Sequence, residues 1–281
     1  MIEFYARHAA GGIVPSTDTP MHFPAGEEHV RDTAEPEEQG FLVVVRGTDA
    51  NEFVRAAMWT DLQQQRGHRV TLAVPYLPGA RMDRGRPFGA GVYARLIDAV
   101  GADRVIALDP HSTVMPALVD GLVAYPAARL VDRFLGDGAT DGTRTSRYAG
   151  VIAPDAGAVA RASETARHLG VPLYRARKTR DFATGRLSGF ECEALPETGR
   201  FLVVDDICDG GGTFAGLAEA TGLGPDRLDL WVTHGVFSGR AGRLREHFGT
   251  VHTTDSHPGF RNPEVGATVH PILPVLIQEA L

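Results

Sequence analysis

The sequence predicts an α/β protein made of two tandem halves, each with a mostly parallel sheet covered by helices. Three observations predict it. Short β-branched runs alternate with alanine-rich stretches of helical length. The alternation stops in "GDGATDGTRTSRYAG" (136–150), which is rich in Gly, Thr and charge, and then starts again. Polar residues gather where apolar runs end: Asp83, Asp109 to His111, Asp155, the stretch 205–213, Thr233 and His234. That edge is where open α/β sheets hold ligands. The halves are 1–143 and 144–281, each of ordinary domain size.

The elements follow in order. "FLVVV" (41–45) is a buried strand, and "NEFVRAAMWTDLQQQRG" a helix closed by Gly67. "RVTLAVPY" (69–76) is a strand, 91–102 a helix, and "RVIALDPH" (104–111) a strand ending in polar residues. The second half opens with strand 150–155, helix 158–170 ending at Gly170, and strand 171–177. Strand 200–206, helix "TFAGLAEATG", strand 228–235 and a last strand, 249–256, complete it. Runs this apolar, separated by helices, suit parallel strands buried on both faces.

The 281 residues carry a net charge of −7, with 43% hydrophobic and 22% charged residues. No basic stripe marks a nucleic-acid binder, so none is expected as a partner. No apolar run approaches the ~18 residues that suggest a membrane span, and "MIEFYARHAAGGIVP" lacks the layout of a signal peptide. The expectation is a soluble cytoplasmic protein. Cys192 and Cys208 are too few for a disulfide framework or a zinc site, and Cys208 reads as a small loop residue.

The informative stretch is "FLVVDDICDGGGTFAGLAEA" (201–220). Three glycines before a helix let backbone N–H groups and the positive helix end converge on a phosphate. A Walker loop would end in Gly-Lys-Ser/Thr, and a dinucleotide fingerprint would space its glycines differently. The acids serve a different group. Asp205 and Asp206 can accept hydrogen bonds from two vicinal hydroxyls or share a Mg²⁺. The loop of Asp209, Gly210, Gly211, Gly212 and Thr213 takes the phosphate. A sugar phosphate offers both features. Without a ligand, the same string is a tight strand–helix turn with solvated acids.

"VVDDICDGGGT" resembles the ribose-5-phosphate loop shared by phosphoribosyltransferases and ribose-phosphate pyrophosphokinases. The resemblance implies two tandem phosphoribosyltransferase-like (Rossmann-like) domains. Other strings favour the pyrophosphokinases and are collinear with them from about Phe23 onward. "FPAGEEHV" (23–30) resembles their adenine-contacting segment, which implies that Phe23 stacks on the purine and Glu27 accepts from its amino group. In the family this segment reaches a neighbouring subunit's site, which implies a homodimer or higher homo-oligomer. "PYLPGARMDR" (75–84) implies ATP contacts by Arg81, Asp83 and Arg84. "GADRVIALDPHS" (101–112) implies that His111 serves ATP phosphates and Mg²⁺, with Asp109 supporting the loop. "VIAPDAGAVARASETARHLGVPL" (151–173) implies that Asp155 holds Mg²⁺ and that Arg161 starts the helix behind it.

"RARKTRD" (175–181) stands where the family carries catalytic cations, which implies that Lys178 and Arg180 stabilise the transition state. The segment 181–199 would be a mobile lid. "WVTHGVFSGRA" (231–241) resembles a closing motif and implies a supporting role for His234. The implied reaction transfers the β,γ-diphosphoryl group of ATP to ribose 5-phosphate, with Mg²⁺ as cofactor. The chain departs from the family at Ala25, Thr179 and Gly210. Gly210 replaces a threonine and enlarges the phosphate pocket, so the same chemistry on ADP-ribose is an alternative. A non-catalytic regulatory associate and a phosphoribosyltransferase are the other rivals.

Overall fold

The computed structural model describes residues 1–8, 11–33, 38–80, 82–136, 146–180 and 187–281, with backbone alone at 178–180 and 187–188. The chain divides into two compact units, Met1–Tyr125 with Ile272–Leu281, and Pro126–Pro271.

The first unit runs β1 (Ile2–His8), β2 (Ile13–Pro15), β3 (Thr19–His22), β4 (Glu28–Arg31), β5 (Glu38–Val45) and α1 (Ala50–Gln65). It continues with β6 (Thr71–Ala73), α2 (Gly89–Asp98), β7 (Arg104–Leu108), α3 (Val114–Leu118) and β8 (Leu122–Tyr125). One sheet has the order β2-β1-β5-β6-β7-β8; β5 to β8 pair in parallel, and β1 is antiparallel to both neighbours. Leu42, Val43, Val44 and Val45 are fully buried, as a two-face strand requires. Asp49 caps α1 by accepting from the Asn51 amide at 3.0 Å. The apolar pattern gives no sign of the N-terminal strands: β2, β3 and β4 are only three or four residues long, and β1 mixes Glu3, Arg7 and His8 with its buried Phe4, Tyr5 and Ala6.

A separate hairpin, β3 with β4, belongs to this unit and packs on α1 through the buried Val30. Its base is fixed by a buried carboxylate. Asp18 accepts from Trp59 Nε1 (3.0 Å), Gln63 Nε2 (2.9 Å) and the Thr33 amide (3.0 Å), and Arg66 lies 3.5 Å away. Trp59 in turn stacks on Phe4 at 4.8 Å. The hairpin tip is therefore positioned by the first helix.

The second unit runs α4 (Ala127–Leu135), β9 (Gly150–Ala153), α5 (Val159–Leu169), β10 (Leu173–Arg180), β11 (Leu187–Cys192), β12 (Phe201–Cys208) and α6 (Gly212–Thr221). After these come β13 (Leu228–Gly235), α7 (Leu244–His247), β14 (Thr250–Thr254) and β15 (Thr268–His270). The sheet order is β11-β10-β9-β12-β13-β14-β15, parallel apart from β10 with β11. Phe201, Val203, Leu217, Leu228 and Leu230 form its core, and Gly170 ends α5 in a left-handed conformation at φ 68°. Helix α8 (Leu273–Ala280) returns to the first unit, where Val275 and Leu276 are buried.

Four expectations change. The units divide at Tyr125 and Pro126 rather than at 143 and 144, because α4 packs on α5 and Phe134 stacks on His270 at 4.8 Å. The strand near 250 is not the last, since β15 follows it. Within the expected lid, Leu187–Cys192 is a strand hydrogen-bonded to β10, while 181–186 lie outside the described residues. Cys208 is not a loop residue but the buried end of β12. Among the described residues, no helix is long and apolar enough to cross a membrane.

Candidate active site

In the first unit the expected nucleotide-binding residues fall in two places. Phe23 and Glu27 sit at the tip of the β3–β4 hairpin. The turn closes by the Phe23 amide to the Glu27 carbonyl and the Gly26 amide to the Phe23 carbonyl, both 2.8 Å. Gly26 has φ 92°, a conformation that favours glycine. Phe23 is 43% exposed, with its ring 5.3 Å from His29, and Glu27 is exposed. A 650 Å³ groove beside it is lined by Met21, Phe23, His29, Met58 and Leu62 among others.

The second place joins two loops. The Leu108 amide donates to the Pro75 carbonyl at 3.1 Å, and the Ser112 hydroxyl donates to Asp83 at 3.0 Å. These bonds bring Asp83 and Arg84 to the loop that carries His111. Arg84 and His111 are exposed, and Arg84 Nε lies 3.9 Å from Asp83. Asp109 is buried with φ 38°, and its amide donates to the Tyr125 carbonyl at 2.8 Å. That non-glycine residue in a left-handed conformation turns the chain so that His111 emerges at the strand end. Arg81 lies outside the described residues.

In the second unit, β12 ends in the acidic pair and the glycine loop. Asp206 is buried and Asp205 nearly so. Arg161 of α5 reaches both, with Nη1 3.4 Å from Asp205 Oδ1 and Nη2 3.5 Å from Asp206 Oδ2. Burial, then the Asp206 charge, pushes the Asp205 carboxyl well above the usual range, and Arg161 opposes the shift.

The glycines differ in what requires them. Gly211 has φ 78°, and a Cβ there would lie 3.2 Å from Leu244. At Gly210 and Gly212 a Cβ would meet nothing within 4 Å. Helix α6 starts at Gly212; the Phe214 and Ala215 amides donate to the Gly211 carbonyl at 3.1 and 3.0 Å, which leaves the Gly212 and Thr213 N–H groups facing the loop for an anion.

The β13–α7 connection clamps the loop. The Val236 and Phe237 amides donate to the Cys208 carbonyl, each at 3.0 Å, and the Ser238 amide donates to the Asp209 carbonyl at 3.1 Å. The Ser238 hydroxyl bonds the Asp209 carboxylate. Phe237 reaches this position with φ 48°. Burial, with the Asp209 and Asp205 charges, pushes the Cys208 thiol up to about 12, which leaves it unreactive. His234 is buried, its Nδ1 2.7 Å from Ser256 Oγ.

Asp155 follows β9, and its Oδ1 accepts from the Gly157 and Ala158 amides at 2.9 and 3.2 Å. Lys178 and Arg180 stand on β10 in register with Phe190 and Leu187 of β11; their side chains lie outside what is described. Sequence reasoning missed the contacts of Arg161 and Ser238. Both lie inside recognised strings, but only the fold shows what they touch.

Among the described residues, no group of three or more His, Cys, Asp or Glu could hold an ion. Asp155 and His111, the expected ligands, stand on different units. The Asp155 carboxylate is an oxygen donor of the kind Mg²⁺ takes, an ion that usually keeps several waters and leans on substrate phosphates.

A family model for the phosphoribosyl transferase domain matches residues 143–223. A ribose-phosphate pyrophosphokinase of Bradyrhizobium diazoefficiens is 31% identical over 255 residues, covering 79% of this chain and 74% of its own. One from Streptomyces coelicolor is 31% identical over 253 residues, 86% of this chain and 75% of its own. The crystal structure of a phosphoribosylpyrophosphate synthetase from Mycobacterium smegmatis superposes with a TM-score of 0.69 at 26% identity, over 95% of this chain and 90% of that one.

Proposed function

Because the chain belongs to the ribose-phosphate pyrophosphokinase family, we propose that it transfers the β,γ-diphosphoryl group of ATP to the anomeric hydroxyl of ribose 5-phosphate. The observation that carries this reading is the end of β12. There an acidic pair suited to vicinal hydroxyls is followed at once by a glycine loop and a helix N-terminus suited to phosphate.

In this reading Asp205 and Asp206 bind the ribose hydroxyls, and the loop 209–213 binds the 5-phosphate. Phe23 and Glu27 take the adenine. Arg81, Asp83, Arg84 and His111 attend the ATP phosphates. The anomeric oxygen attacks the β-phosphorus, its proton is released to solvent, and the bond to the α,β-bridging oxygen breaks. AMP leaves with that oxygen. Lys178 and Arg180 meet the charge spread over the equatorial oxygens of the transition state, the largest lever available in such a transfer. Asp155 and His111 would hold Mg²⁺, which when bound neutralises phosphate charge. The exposed Phe23 supports assembly as a homodimer or larger. Two free cysteines suit a reducing cytoplasm.

The test is an endpoint assay with Mg²⁺, ATP and either ribose 5-phosphate or ADP-ribose, reading AMP and the diphosphorylated product by mass. AMP with ribose 5-phosphate supports the proposal. The openness around Gly210 makes ADP-ribose the second acceptor to try; AMP with it alone keeps the chemistry and changes the substrate. AMP with neither favours the regulatory associate, and consumption of phosphoribosyl pyrophosphate with a base favours the transferase.

A further inference from the structure

We propose that Arg161 is a positioning residue for the ribose: its forked guanidinium holds the Asp205 and Asp206 carboxylates together so that both present acceptors to adjacent hydroxyls. The inference rests on the reading of β12 as the ribose site. Successive residues of a strand point to opposite faces. Asp206 belongs with Leu202 and Val204, and Asp205 with Phe201 and Val203. Left to that alternation, the two carboxylates would diverge. Instead one side chain meets both, Nη1 on Asp205 at 3.4 Å and Nη2 on Asp206 at 3.5 Å. The Asp205 carboxylate also turns back along the strand, its Oδ1 accepting from the Asp206 amide at 2.9 Å.

The clamp is built into rigid surroundings. Arg161 is the third residue of α5, which packs on β12, and its carbonyl accepts from Thr165 at 3.0 Å. Its side chain is 11% exposed, against 14% and 5% for the two partners. Asp155, whose carboxylate meets the amides just before α5, is joined to Arg161 through the same short segment.

The charge balance points the same way. Around the pair stand Arg161 from α5, Cys208 and Asp209 farther along β12 and its loop, and His234 from β13, in register with Ile207. Of these, Arg161 is the permanent cation. Two adjacent buried carboxylates repel each other, and the guanidinium between them offsets part of that repulsion. A lysine would supply the charge but not two nitrogens in a fixed fork.

The experiment compares wild type, R161K and R161Q, each checked for folding by circular dichroism. Aspartate-labelled protein without substrate is titrated by ¹³C NMR, with D205N and D206N spectra for assignment. The KM values for ribose 5-phosphate and ATP are then measured separately. For R161Q the pair should titrate about one pH unit or more higher. Its KM for ribose 5-phosphate should rise about tenfold or more while that for ATP stays within about twofold. R161K should keep the titration near that of wild type and still raise the ribose 5-phosphate KM several-fold. Unmoved titration in R161Q, or equal rises in both KM values, overturns the proposal. If R161Q does not fold, an unchanged ribose 5-phosphate KM in R161K overturns it. A wild type that makes no product while the R161Q titration shifts would sink the ribose reading and leave the carboxylate clamp standing.

Discussion

At the residue scale, the glycine loop shows how differently similar residues are constrained. Gly211 needs its left-handed φ of 78° and lies against Leu244, whereas Gly210 has neither restraint. Gly211→Ala should therefore cost about 1–2 kcal/mol, and Gly210→Ala close to nothing, by urea denaturation. A comparable loss at Gly210 would contradict this account of the loop. The proposed chemistry lies elsewhere: Lys178→Ala should lower kcat by about two to three orders of magnitude with an unchanged melting temperature, and near-normal turnover would remove Lys178 from its proposed role. The string "DDICDGGGT" was legible as a strand end running through a glycine turn into a helix, which is how β12 and α6 are built. The partners were not legible. Arg161 and Ser238 are 44 and 29 positions from the carboxylates they bond.

At the element scale, the β3–β4 hairpin depends on a buried carboxylate at its base. Asp18 satisfies Trp59, Gln63 and the Thr33 amide at once, with Arg66 beside it. Asp18→Ala would strand these buried donors and a nearby cation. We expect a loss of about 3–5 kcal/mol, read by chemical denaturation, with part of it recovered in Asp18→Asn. A loss below about 1 kcal/mol would mean that the hairpin is held mainly by other contacts. Parallel strands such as β5 and β12 were readable as apolar runs, since both faces are buried. The hairpin and β1 were not, because strands with a polar face and a tertiary anchor leave no such run.

At the scale of the whole molecule, the second unit carries an acid-sensitive core. Arg147 Nη2 donates to His252 Nε2 at 3.2 Å, so His252 uses its Nδ1–H toward His270 Nε2, also at 3.2 Å. Both rings must then be neutral. Burial, with His270 and Arg147 nearby, lowers the His252 pKa to about 3, and His270 is lowered for similar reasons. In the unfolded chain histidine takes its proton near pH 6.5, so below that the unfolded state binds more protons. The stabilisation is complete above pH 6.5 and is lost as the pH falls toward the folded value. For His252 the slope is at most about 1.4 kcal/mol per pH unit. Melting temperatures from pH 7.5 to 4.5 should fall, and His252→Gln should flatten that dependence; an equal slope in the variant would place the acid sensitivity elsewhere. The α/β class and the order of the apolar runs of the parallel strands were readable from the chain alone, because burial on both faces constrains residues that are neighbours in sequence. Where the units divide, which unit α8 joins, and which cation meets the acidic pair came from the fold, because those contacts link residues far apart in sequence and depend on how helices pack on each sheet.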